Sequence, residues 1–140
     1  MRFVGLDYGQ KRIGIAVSDS DGLLALPVTS FVRTKDRSGD IRRLAALIQE
    51  YEPALIIVGL PRRLSGELGP SANAVKRFVT DLSKEIEVEI LFQDERFTTV
   101  EASKRLREAT LSGKAQRSVI DASAAAIMLQ SWLDGRMHGQ

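Results

Sequence analysis

Gly5-Leu6-Asp7-Tyr8-Gly9-Gln10-Lys11-Arg12-Ile13-Gly14 is the stretch on which the fold turns. An apolar run over residues 2–6 leads into Asp7, and a second run covers residues 13–17. Between them Tyr8-Gly9-Gln10 reads as a tight turn, because glycine reaches backbone conformations that other residues avoid. Two apolar runs joined this closely predict an antiparallel hairpin. Ser18-Asp19-Ser20-Asp21-Gly22 predicts another turn, and residues 24–31 a third strand.

Beyond the hairpins the pattern changes period. Ile41, Leu44, Ala45, Ile48 and Tyr51 recur at helical spacing, so a helix is expected from about Asp40 until Pro53 stops it. Residues 54–58 form a continuous apolar, β-branched run that suits a strand covered on both faces. It ends at Gly59-Leu60-Pro61, and a polar loop reaches Gly69. Pro70 suits the first turn of a helix over residues 70–84, with Ala74, Val75, Phe78 and Leu82 on its apolar stripe. Residues 88–92 predict a fifth strand, ending at Gln93-Asp94-Glu95-Arg96. Thr98-Thr99-Val100-Glu101 and Ser118-Val119-Ile120-Asp121 each match a capping box and predict two closing helices. The polar residues 111–116 lie between them, as a plain connector or as a loop bending over a substrate. Hairpins first and βα units after predict an α/β fold, a mixed five-stranded sheet flanked by helices. With no repeat and no linker, one domain is expected over residues 1–140.

Composition narrows the chemistry. No run of about 18 apolar residues is present, so no membrane-spanning helix is expected. The first residues enter a strand-like run rather than a signal segment. Absent cysteines exclude disulfides and thiolate metal sites, and fit a cytoplasmic protein. His138 is the one histidine, which argues against a histidine-rich metal site or a histidine triad. No phosphate loop of the Gly-x-x-x-x-Gly-Lys-[Ser/Thr] type occurs. An actin-like or sugar-kinase-like ATPase also opens on a strand, Asp and glycine turn, but needs two such domains, and 140 residues supply one. The formal net charge is +2 with a pI near 9.1. Lys11, Arg12, Arg62, Arg63 and Arg96 fall beside turns, where they can grip the phosphates of a nucleic acid or merely keep the surface solvated.

Asp7 follows the first strand, Glu95 the fifth, and Asp121 falls in the first turn expected for the last helix. Strand ends of a mixed sheet can lie near each other, and a helix packed on it can deliver a third carboxylate. Three carboxylates at one point repel unless a cation neutralises them. Mg²⁺ or Mn²⁺ suits such oxygen donors, and one or two ions can assist phosphodiester hydrolysis. Each residue also has a plainer reading: Asp7 bonded within its turn, Glu95 paired with Arg96, Asp121 closing its capping box.

Four blocks weigh on that choice. Gly5 through Gly14, as quoted above, resembles the opening signature of the YqgF family, also called RuvX or pre-16S rRNA nuclease. Val58-Gly59-Leu60-Pro61 is similar to its second block, Gln93-Asp94-Glu95-Arg96-Phe97-Thr98-Thr99 to its third, and Asp121 with Ala124-Ala125 to its fourth. They occur in family order and span nearly the whole chain. The resemblance implies a ribonuclease H-like fold, kin to the RuvC junction resolvases, and matches Asp7, Glu95 and Asp121 to the family's acidic positions. It implies a metal-dependent nuclease that processes the 5′ end of pre-16S rRNA, with resolution of Holliday junctions in branched DNA as the alternative. The implied partner is nucleic acid, structured RNA before branched DNA, met by a monomer or a homodimer. Arg62-Arg63-Leu64-Ser65-Gly66 stands where many members carry Asp before the glycine, so no acidic role falls to this loop. A non-catalytic module binding ribosomal RNA would keep the basic turns without the acidic centre.

Overall fold

The computed structural model describes residues 1–61, 69–95 and 114–137. Strands β1 (Phe3–Tyr8), β2 (Arg12–Ser18) and β3 (Ala25–Val32) come first. Helix α1 (Arg37–Gln49), strand β4 (Leu55–Pro61), helix α2 (Pro70–Ser83), strand β5 (Ile90–Glu95) and helix α3 (Lys114–Met137) follow. The sheet order is β3-β2-β1-β4-β5. β1, β2 and β3 are antiparallel in succession, whereas β1, β4 and β5 run parallel. The α/β architecture and the mixed five-stranded sheet are therefore as the alternating runs predict.

Side chains alternate across each strand, so the sheet has two cores. Val4, Leu6, Ile13, Ile15, Ile56 and Val58 pack against α1 and α2 on one face. Phe3, Ala16 and Ile57 pack against Ala125, Leu129 and Leu133 of α3 on the other. Gly5 lies on the α3 face, where a Cβ would come within 2.8 Å of Leu129 Cβ. The Ala-rich stretch of α3 lies flat on the sheet because both surfaces are nearly free of bulk there.

Several boundaries differ from the sequence reading. β1 continues through Asp7 and Tyr8, because Asp7 pairs with Gly14 and Tyr8 with Ile13 before the turn begins. α1 starts at Arg37, ahead of the expected Asp40: Asp36 caps it by accepting a bond from the Gly39 N–H at 3.0 Å. Its C-terminal exit is set by Glu52, in a left-handed conformation at φ 48, just before Pro53. Gly59-Leu60-Pro61 belongs to β4 rather than ending it, since β5 pairs with all three residues. The last helix begins at Lys114, so Ser118 does not cap it and residues 114–116 are helical rather than loop. The helix expected from Thr98 and residues 111–113 lie outside the described residues. Among the described residues, no helix is long and apolar enough to cross a membrane.

Candidate active site

The parallel trio β1, β4 and β5 ends on one edge of the sheet. Asp7 stands near the end of β1, and Glu95 is the last residue of β5. β4 separates the two strands by about 10 Å, two interstrand spacings. Leu6 is in register with Val58 and Val58 with Phe92, which sets Asp7 level with Gly59 and Gln93. Gly59 puts no side chain between them.

Asp7 shares its strand face with Phe3 and Gly5 and so faces α3. Its partner across the hairpin is Gly14. A Cβ on Gly14 would overlap the backbone carbonyl of Asp121, so β2 and α3 meet there backbone to backbone. That contact brings the Asp121 segment beside Asp7. Asp121 does not sit in a first turn, as the capping pattern predicted, but about two turns inside α3. Its residue exposure is 3%. Burial of a carboxylate requires a partner, and Arg12 supplies one: its Nε–H donates to Asp121 Oδ2 at 2.6 Å.

Arg12 lies two residues before Gly14 on the same face of β2, so Asp7, Arg12 and Asp121 surround one glycine. The Arg12 side chain is 18% exposed, which leaves it as the cover between Asp121 and solvent. Lys11 precedes it, exposed in the turn. The turn is closed by the Gly9 N–H donating to the Arg12 carbonyl at 2.9 Å. A Cβ on Gly9 would stand 2.6 Å from that same oxygen, so the expected glycine turn is required sterically. Arg62, Arg63 and Arg96 lie outside the described residues, and Glu95 is described through its backbone.

One residue of this region has no signal in the sequence. Arg33, just past β3, donates through Nη1 to the carbonyls of Gly9 and Gln10, both at 2.7 Å. Its guanidinium carbon lies 4.6 Å from the centre of the Tyr8 ring, which also packs on the Phe78 ring at 4.5 Å between centres. The Arg33 N–H bonds the Lys11 carbonyl at 2.9 Å. Arg33 thus clamps the turn that carries Lys11 and Arg12. Its foundation is Asp40, buried at the start of α1, which accepts from the Thr34 N–H and hydroxyl, each at 2.8 Å, and from Arg43 at 2.6 Å. Burial alone raises the Asp40 pKa, but the Thr34 and Arg43 bonds outweigh it and hold the carboxyl below the ordinary range.

Comparison with known proteins agrees with this architecture. The family model described as "RuvX: Holliday junction resolvase" matches residues 1–135. A Rhodococcus opacus protein named "Putative pre-16S rRNA nuclease" is 46% identical over 139 residues, covering 96% of this chain and 78% of the relative. A protein of the same name from Thermoanaerobacter pseudethanolicus is 43% identical, covering 97% of this chain and 98% of the relative. The Thermus thermophilus RuvC structure in complex with a Holliday junction substrate superposes with a TM-score of 0.55 at 20% identity, over 98% of this chain and 96% of RuvC. That likeness establishes a ribonuclease H-like fold. With its model match spanning nearly the whole chain, and with relatives this similar, the protein belongs to the RuvX family.

Proposed function

We propose that this protein is a metal-dependent nuclease whose carboxylates Asp7, Glu95 and Asp121 serve phosphodiester hydrolysis, and that it processes the 5′ end of pre-16S rRNA. The observation that supports this reading is that Gly14 pairs with Asp7 and touches the Asp121 backbone, at the sheet edge where β5 ends in Glu95. The donor set consists of hard oxygens without sulfur or imidazole, which fits Mg²⁺ or Mn²⁺. Asp7, Glu95 and Asp121 would hold one or two such ions. When bound, they supply charge neutralisation for the attacking and leaving oxygens. The chain's own residues do the positioning: α3 carries Asp121 on a rigid element, and the hairpin holds Asp7 beside it.

Lys11 and Arg12 at the hairpin, with Arg62, Arg63 and Arg96 from the adjoining segments, would grip phosphates on either side of the scissile bond. Such backbone contacts orient a substrate without reading its sequence. The choice of pre-16S rRNA follows the names of the relatives. A reading on branched DNA is favoured by the family's description as a Holliday junction resolvase. Cutting two strands symmetrically calls for a two-fold dimer, whereas a single cut in RNA suits a monomer. Action on ribosomal RNA precursor supports a cytoplasmic protein, working as one nuclease unit over residues 1–140.

The test pairs the two substrates. Purified protein is incubated with a labelled pre-16S leader fragment and with a four-way DNA junction, in Mg²⁺, in Mn²⁺ and in chelator, alongside a sedimentation measurement. Cleavage of the RNA that needs metal and Asp7 supports the proposal. Cleavage of the junction alone by a dimer transfers it to branched DNA. Binding of RNA without cleavage, unaffected by Asp7→Asn, leaves a non-catalytic module.

A further inference from the structure

We infer that Arg12 is an internal counter-cation that covers Asp121 and competes with the divalent ion for its carboxylate. The inference rests on the carboxylate centre proposed above and concerns how that centre is kept and loaded.

Asp121 is too enclosed to be neutralised by bulk ions. Its side chain is 4% exposed, and the group in front of it is the Arg12 guanidinium, with Nε 2.6 Å from Oδ2. The pair joins residues 109 positions apart and ties β2 to α3 beside the Gly14 contact. A carboxylate buried this far without a counter-charge is strongly unfavourable, so a cation is built in. Arginine suits that post because it stays charged at every physiological pH. A guanidinium with Nε 2.6 Å from Oδ2 repels a divalent ion that approaches the same carboxylate. Engagement of the metal by this carboxylate therefore favours withdrawal of the guanidinium.

Arg12 has a place to go. It sits at the first position of β2, directly after exposed Lys11, with the turn on its open side. A guanidinium withdrawn there reaches the phosphates that the turn would grip. Substrate phosphate and divalent ion then favour the same arrangement of Arg12, and by linkage each strengthens binding of the other. Asp121 is held paired with Arg12 when the centre is free and is released when both arrive.

Mn²⁺ affinity, measured by calorimetry and by electron paramagnetic resonance at fixed pH, tests this without reference to turnover. Arg12→Gln should bind Mn²⁺ about tenfold or more tightly than the wild type, since the competitor is gone, a change of about 1.4 kcal/mol. Its metal-free form should melt lower, and Mn²⁺ should raise its Tm by more than it raises that of the wild type. A phosphorothioate oligonucleotide that resists cleavage should tighten Mn²⁺ binding to the wild type and do so less for Arg12→Gln. Arg12→Lys, which keeps the charge on a more easily released side chain, covers the case in which Arg12→Gln fails to fold. Its Mn²⁺ affinity should exceed the wild-type value, and an equal or weaker one overturns the inference. Asp7-dependent Mn²⁺ binding of equal or lower strength in Arg12→Gln overturns the inference and leaves the carboxylate centre standing. Absence of any Mn²⁺ binding removable by Asp7→Asn overturns the centre and the inference with it.

Discussion

Gly14 and Asp121 touch backbone to backbone: a side chain at residue 14 would overlap the Asp121 carbonyl. This contact fixes how closely α3 approaches the hairpin, and with it where the Asp121 carboxylate stands relative to Asp7. Replacing Gly14 by alanine forces α3 away from β2. Overpacking of this kind costs about 1–3 kcal/mol. Denaturant unfolding should show a loss in that range, and cleavage should fall more than stability alone explains. Gly14→Ala with unchanged unfolding midpoint and activity would show that the two elements have slack between them.

Arg33 should matter although its bonds among the described residues go to the turn rather than to Asp7 or Asp121. Arg33→Ala removes both bonds to the Gly9 and Gln10 carbonyls and the contact with the Tyr8 ring. The expected destabilisation is about 1–3 kcal/mol. Arg33→Lys should recover a minor part, since an ammonium lacks the planar fork and its stacking. Full recovery by lysine would mean that charge alone holds the turn.

Acid should loosen the junction of β3 with α1. The Asp40 carboxyl has a folded-state pKa below its unfolded value, through the Thr34 and Arg43 bonds that outweigh its burial. A group lowered in this way contributes stability above the unfolded value, about 3.9, and loses it as pH falls through the lower folded value. Stability measured from pH 6 downward should therefore decline below about pH 4, and Asp40→Asn should flatten part of that decline while lowering stability at neutral pH. An identical acid limb in Asp40→Asn would assign the decline to other groups.

Lys11 is exposed on the hairpin turn and is expected to meet phosphate directly. Lys11→Ala should weaken nucleic-acid binding alike for all sequences. The slope of log affinity against log salt should become shallower by roughly 0.7–0.9, the value of one phosphate contact. An unchanged slope would place Lys11 outside the interface.

Much of the fold was legible because apolar periodicity reports burial. The continuous run at residues 54–58 signals a strand covered on both faces, and β4 is the strand held between β1 and β5 with helices above and below. The boundaries were less legible where pairing overrides local turn chemistry. Gly59-Leu60-Pro61 looks like a strand end, yet β5 holds it in register. Ser118-Val119-Ile120-Asp121 has the spacing of a capping box, yet the helix already runs past it because Asp121 is held by Arg12 and by the Gly14 contact. A capping pattern states only that a serine could start a helix. It carries no information about a partner more than 100 residues away. Arg33 was illegible for the same reason, since its bonds to Gly9 and Gln10 span more than 20 residues. Asp7, Arg12 and Asp121 were all singled out from the sequence, but the ion pair between the last two was not. Its signal is weak: a basic residue on a strand and an acidic one on an otherwise apolar helix face.

If Asp7, Glu95 and Asp121 share a divalent ion, that ion can be located in crystals. Anomalous X-ray scattering from crystals equilibrated with Mn²⁺ marks its position. A peak is expected on the edge of the sheet where β1, β4 and β5 end, within about 2.0–2.3 Å of an oxygen from each carboxylate, as for oxygen-bound ions of this class. Arg12 should be turned away from Asp121 when that peak is present. A peak that contacts neither Asp7 nor Asp121, with the Arg12–Asp121 bond intact at saturating Mn²⁺, would contradict a shared ion.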